Sequence, residues 1–204
     1  KPYSTHNKHD CAPNGRVACD KRPVRLVNKE TQMDMKIGFA QAQETDALVD
    51  LINQAYRGSE SWTGERDLIS GARTNPTEIS ALITDAQAQF LVLRDETQQI
   101  LGCIVAEKAG DYVYLGMFAI NPSVQQTGLG KALLAGAEHF ARGFWRGIKG
   151  SKMTVITART ELLAYYERRG YVQSNELQAF PHDINVGEPK QTLQLVTLYK
   201  PFPV

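Results

Sequence analysis

The 204-residue chain reads as a mixed α/β domain built on a mainly antiparallel sheet. Three observations predict this. Strand-type and helix-type runs follow one another as strand, helices, three strands, helix, strand, helix and two strands, an order that suits helices inserted around such a sheet. The three consecutive strand runs between 89 and 120 are joined by short turns, which makes a meander. The strand–helix–strand stretch from 112 to 157 contains a crossover, so it places two parallel strands in the sheet.

The elements follow from local pattern. Lys36–Gln41 alternates and predicts a first strand. Within Asp46–Tyr56, Leu48, Leu51, Ile52 and Tyr56 fall on one helical stripe, with Thr45 or Asp46 as the cap. Gly58–Gly64 is a loop carrying Trp62, and Glu65–Ala72 and Thr77–Ala86 read as short helices broken near Asn75-Pro76. Gln89–Arg94, Gln99–Glu107 and Tyr112–Ile120 are strands separated by turns at 95–98 and Gly110-Asp111. Lys131–Phe144 is a helix with Leu133, Leu134, Ala137, Phe140 and Ala141 inward. Met153–Thr157 is a β-branched strand, and Thr160–Arg169 is a helix stopped by Gly170. Tyr171–Phe180 and Thr192–Tyr199 are the last strands.

Composition bounds the function. Apolar residues make up 42% and charged residues 22%, an ordinary globular balance that excludes collagen-like repeats and a disulfide scaffold. No apolar run approaches the roughly 18–20 residues of a membrane helix. The net charge of +1 hides two unlike parts: residues 1–32 carry +4 and residues 33–204 carry −3. Residues 1–32 show no helical or strand period and read as a basic, poorly ordered extension. The chain opens on Lys1, and Met33 or Met35 stands where the folded domain, 33–204, is expected to begin. His6, His9, Cys11 and Cys19 match no common zinc spacing and are read as part of that extension. Cys103, in an apolar run, reads as a buried thiol. A mildly acidic domain and a tail without interleaved aromatics give no expectation of nucleic-acid binding.

The most informative stretch is Asn121–Lys131, N-P-S-V-Q-Q-T-G-L-G-K, which follows a strand and opens a helix. Gly128 and Gly130 remove side chains where backbone must bend and approach a ligand. Free N–H groups at a helix start carry partial positive charge and suit a phosphate. From Tyr112 through Ala137 there is no Asp or Glu, and Lys131 is the one formal charge. The stretch is neither a Walker loop nor a dinucleotide fingerprint.

Gln125-Gln126-Thr127-Gly128-Leu129-Gly130 resembles the Q/R-x-x-G-x-G/A motif of the GCN5-related N-acetyltransferases (GNAT). The F-A-I-N-P before it resembles that family's strand end, and L-L-A-Y-Y-E-R-R-G-Y at 162–171 resembles its second motif. The resemblance covers about 35–200 and implies a GNAT fold, with the parallel strands splayed around an acyl-CoA cleft and helices on both faces. It implies acetyl-CoA as co-substrate. Its pyrophosphate would lie on Gln125, Gln126, Thr127, Gly128, Leu129, Gly130 and Lys131, and its pantetheine along the backbone of Phe118, Ala119 and Ile120. A bulge near Gly116 would open the cleft, with the side chains of Phe118 and Ile120 facing the core.

The implied reaction is direct transfer of acetyl to a primary amine, on a small molecule, a polyamine or a protein. An amine near pKa 10 must lose a proton to attack. Tyr166, four residues before the glycine of the second motif, is the implied acid, and Tyr165 lies about 100° round the helix from it. Two departures stand out. Arg159 replaces the motif's asparagine, to hold cofactor or to solvate the strand end. The fourth strand has no glutamate, so Glu107, Glu65 or water is left as the base. Trp62, Glu65, Arg66 and Arg73 fall where the family builds its acceptor site, and neither His139 nor His182 is assigned a catalytic role. A non-catalytic acyl-CoA-binding module is the competing reading. A cytoplasmic location is expected, and a homodimer is left open.

Overall fold

The computed structural model describes residues 24–27, 34–181 and 186–203. Its strands are β1 (Val24–Val27), β2 (Asp34–Phe39), β3 (Ile69–Ser70), β4 (Ala88–Arg94), β5 (Ile100–Ala109), β6 (Tyr112–Ile120), β7 (Gly150–Ile156), β8 (Val172–Ala179), β9 (Glu188–Pro189) and β10 (Gln194–Pro201). The helices are α1 (Thr45–Arg57), α2 (Pro76–Thr84), α3 (Leu129–Phe144) and α4 (Thr160–Glu167). Eight strands form one sheet in the order β1-β2-β4-β5-β6-β7-β10-β8, and β3 pairs only with β9. All pairings are antiparallel except β6 with β7. The fold is the mixed α/β architecture that the order of elements predicts.

Helices cover both faces. On one, α3 packs Leu133, Leu134, Ala137 and Ala141 against β5 and β6 residues such as Ile104 and Leu115. On the other, Leu48, Leu51, Ile52 and Ala55 of α1 and Ile79 of α2 cover Phe90, Val92, Val105 and Ala119. The central strands β4 and β5 are apolar on both sides for this reason. Each fully buried Leu or Ile contributes roughly 1.5–3 kcal/mol, so these two layers supply most of the hydrophobic driving force.

Local chemistry sets the element ends. Asn75 accepts the Glu78 N–H at 3.0 Å, and Pro76 occupies the first turn of α2. Gly170, at φ +86°, ends the turn after α4. Neither Thr45 nor Asp46 caps α1: a 3-10 turn at Ala42–Glu44 precedes it, and Glu44 is its N-cap.

Two expectations are corrected. Glu65–Ala72 is not a helix. After a turn in which Leu68 and Ile69 N–H groups both reach the Glu65 carbonyl, Ile69 pairs with Pro189 and buries against Ile156, Phe180 and Leu193. That non-local packing overrides a short local period. Residues 24–27, inside the segment read as an extension without regular structure, instead form β1 and pair with β2. The rest of 1–32, with His6, His9, Cys11 and Cys19, lies outside the described residues, as does His182. Cys103 is fully buried, and burial pushes its thiol up to about 12. No described helix is long and apolar enough to cross a membrane.

A polar network locks α3 to the far half of the sheet. Tyr171 donates to Glu138 at 2.7 Å, Ser151 meets the Tyr171 hydroxyl at 2.8 Å, and Lys200 donates to Glu138 at 2.6 Å. Burial first, and the Glu138 charge second, hold the Tyr171 phenol far above its ordinary value, so it keeps its proton as donor. Replacing Glu138 by Ala leaves the buried phenol with Ser151 alone and takes the acceptor from Lys200. We expect Glu138→Ala to lower stability by about 1–3 kcal/mol, read as a lower urea midpoint with an unchanged slope. A midpoint equal to the parent's refutes the network's role.

Candidate active site

β6 and β7 pair through only three residues, Tyr112 with Gly150, Val113 with Ser151 and Tyr114 with Lys152, and then separate. On the other edge of β6, Cys103 faces Ala119 but Val105 faces Gly116, so an extra residue bulges out. Met117 holds the bulge at φ +46°, a left-handed conformation rare for a non-glycine residue. The resemblance puts a bulge near Gly116, and the strained residue is its neighbour. Asn121 N–H bonds to Leu101 on β5, so the alternation turns the Ile120 and Phe118 backbone toward the cleft. Gln125 Nε2 accordingly donates to the Ile120 carbonyl at 3.1 Å.

Two cavities, each about 490 Å³, open on either side of this gap. Tyr56, Phe118, Arg159, Leu162 and Tyr166 line both. The first runs beneath the glycine turn. Gly128 is the N-cap of α3 at φ +83°, and Gln126 lies at φ +65°. A Cβ on Gly130 would come within 2.9 Å of the Tyr165 hydroxyl, so a larger residue there would have to push that side chain aside. That hydroxyl is buried with no partner, as is Arg169 Nε, whose guanidinium stacks 3.2 Å above the Tyr165 ring. The second cavity carries Arg57, Glu65, Arg73, Glu78, Glu107 and Arg159.

The GNAT acetyltransferase family model matches residues 45–171. The chain belongs to the GNAT acetyltransferase family. Among solved structures, it is similar to the ribosomal-protein-S18-alanine N-acetyltransferase of Escherichia coli, with 14% identity, TM-score 0.61, and 83% of this chain and 95% of that one covered. A putative phosphinothricin N-acetyltransferase matches with 14% identity and TM-score 0.63 over 83% of this chain and 99% of its own. A spermidine N-acetyltransferase chimera from Vibrio cholerae and hSSAT matches with 14% identity and TM-score 0.60 over 82% and 95%. At that identity these likenesses speak for the GNAT fold. By sequence, no curated protein matches the chain significantly.

In this GNAT chain the residues picked from the motifs fall into distinct places. Phe118, Ala119, Ile120, Gln125, Gln126, Gly128, Gly130 and Lys131 line the first cavity. Leu129 instead turns its side chain into the core, and the Thr127 hydroxyl donates to the Val124 carbonyl at 2.7 Å. Ile120 is buried, but Phe118 is only partly so, with its ring facing both cavities. Tyr166 is 5% exposed at the junction, and burial holds its phenol far above its ordinary value. Glu107 is half-buried on β5, and burial, then the Asp85 charge, raise its carboxyl above the usual range.

Glu65 is not a free carboxylate. Arg57 and Arg159 each bond one of its oxygens, and Arg159 also reaches the carbonyl and hydroxyl of Thr63. Arg159, expected at a cofactor group or a strand end, thus spends its fork on the 58–68 loop. Trp62, expected in an acceptor wall, lines the first cavity, beneath the glycine turn. Its backbone N–H donates to Gln125 Oε1 at 2.9 Å and its ring meets Tyr165 edge-on at 5.9 Å. Arg66 is exposed beside Asp67, outside both cavities. His139 is exposed on α3.

Sequence reasoning missed Tyr56 and Arg169, and set Tyr165 aside. Tyr56 ends the apolar stripe of α1, which hides it as a packing residue. Arg73 and Arg159 sit 5.3 and 5.8 Å from its ring, and burial pushes its phenol up to about 12. Arg169 carries a weak signal, as one of two arginines before the glycine of the second motif.

Removing the Glu65 charge leaves two largely buried guanidiniums facing each other. We expect Glu65→Gln to cost about 3–5 kcal/mol in chemical denaturation. Parent-like stability would refute the clamp.

Proposed function

We propose that this chain is an acetyl-CoA-dependent N-acetyltransferase that acts on a primary amine by direct transfer in a ternary complex. The observation that carries the reading is the meeting of the two cavities at Tyr166, where β6 has left β7. The residues present fit the co-substrate. The first turn of α3 has N–H groups with no carbonyl of their own helix to bond, and the left-handed Gly128 and Gln126 shape the approach to them. The orphaned Tyr165 hydroxyl and the cleft-facing backbone of Phe118 and Ile120 suit pantetheine. Gln125 holds the strand end and Trp62 in place, and Lys131 adds positive charge at the mouth.

Acetyl-CoA, when bound, supplies an electrophilic thioester carbonyl. The acceptor nitrogen forms the C–N bond as the C–S bond breaks. It sheds two protons: one leaves through Glu107 to solvent, and the other balances the proton delivered to sulfur. Glu107 suits the first role because burial raises its carboxyl and so makes the carboxylate a stronger base. Tyr166 suits the second because its raised phenol stays protonated. The same burial disfavours a thiolate at that spot, so the donor and the leaving group rise together. Glu65 acts as a clamp for Arg57 and Arg159 rather than as a base.

Two outcomes are expected. Gly128→Glu places bulk, backbone strain and negative charge at the phosphate turn and abolishes acetyl-CoA binding in a calorimetric titration. Unchanged affinity sinks the assignment of the turn. Tyr166→Phe lowers turnover by roughly 10²–10⁴-fold with little change in acetyl-CoA affinity, followed by thiol release across a panel of amines. Parent-like turnover removes Tyr166 from the chemistry. Binding by the parent without thiol release for any amine leaves an acyl-CoA-binding module.

A further inference from the structure

The charges of the second cavity are not all spoken for. Arg57 bonds Glu65, the Gly71 carbonyl at 3.1 Å and the Val186 carbonyl at 2.8 Å. Arg159 bonds Glu65 and Thr63 through its two Nη groups and keeps a buried Nε without a partner, and Glu78 accepts from the Thr74 hydroxyl at 2.7 Å, a bond that leaves its charge uncancelled. Two charged side chains remain that have neither an ion pair nor a side-chain hydrogen bond among the described residues, Arg73 and Glu107. Arg73 is held over the Tyr56 ring, its Nη1 buried without a partner. A buried guanidinium N–H without an acceptor is costly and suits an anion's oxygen. Glu107, on the opposite wall formed by β5, suits an ammonium.

Resting on the acetyltransferase reading, we propose that the acceptor is a small amino carboxylate, its carboxylate taken by Arg73 and its amine delivered beside Glu107 to Tyr166. A cation and an acid that both lack ion-pair partners fit a zwitterion. A polyamine, with several positive charges and no carboxylate, leaves Arg73 without an anion. A protein N-terminus brings no carboxylate next to its amine. The cavity volume, about 490 Å³, is in the range of small-molecule sites.

The test compares amino acids with their decarboxylated counterparts, following thiol release from acetyl-CoA by the full chain. The expected result is a kcat/KM roughly 10- to 100-fold higher for the amino carboxylates. Arg73→Gln brings that ratio close to one through KM, and Arg73→Lys keeps part of it. Circular dichroism and acetyl-CoA affinity confirm that both variants fold. Equal or faster turnover of the decarboxylated amines or of spermidine overturns this inference alone, as does an Arg73→Gln ratio equal to the parent's. Failure of the parent to bind acetyl-CoA overturns the acetyltransferase reading with it.

Discussion

The parting of β6 from β7 is the constraint on which the rest depends. Adjacent parallel strands normally continue their ladder, because buried backbone N–H and C=O groups must be paired. Here the ladder stops after three residues, and a left-handed Met117 turns the β6 backbone away. The strain is held in place by β5, which pairs on both sides of the bulge, and by Cys103, whose thiol contacts the Met117 carbonyl at 3.6 Å. What the sheet gives up in hydrogen bonds becomes an extended edge facing a cleft. Both cavities, and the buried phenol between them, follow from that gap.

The second organising feature is electrostatic. Glu65, brought in by an irregular loop, joins Arg57 of α1 to Arg159 at the start of α4. A buried ion triad contributes little net stability compared with well-packed apolar groups. Its value is geometric. It fixes the 58–68 loop across the mouth of the cleft, so that Trp62 reaches the glycine turn while Arg73 and Glu107 stay on the other side. Of the six charged residues of that cavity, the triad consumes three.

The two glycine-bearing motifs were legible because their chemistry is local. A left-handed Gly128, a helix N-terminus and a Gly170 stop are written in a few adjacent residues, and the structure puts them where the spacing does. The strands and helices with clear periods hold to within a few residues. Apart from the α1 cap, the differences are non-local. Glu65–Ala72 lost its helix to pairing with β9 and to two guanidiniums from distant elements. Trp62 sits by the glycine turn because Gln125, 63 residues away, holds its backbone N–H. Tyr56 looked like core because a stripe cannot reveal which residue ends at a cleft.

The sequence by itself determined the family pattern, the order of elements and the acid-free turn, since turn geometry, periodicity and local charge act between near neighbours. The tertiary structure alone decided which charges cancel. Arg57, Arg73 and Arg159 are alike as letters, as are Glu65, Glu78 and Glu107. Only packing brought Glu65 between two of the arginines and left Arg73, Glu78 and Glu107 without an ion pair among the described residues, because an ion pair depends on distances across the fold that no local pattern encodes.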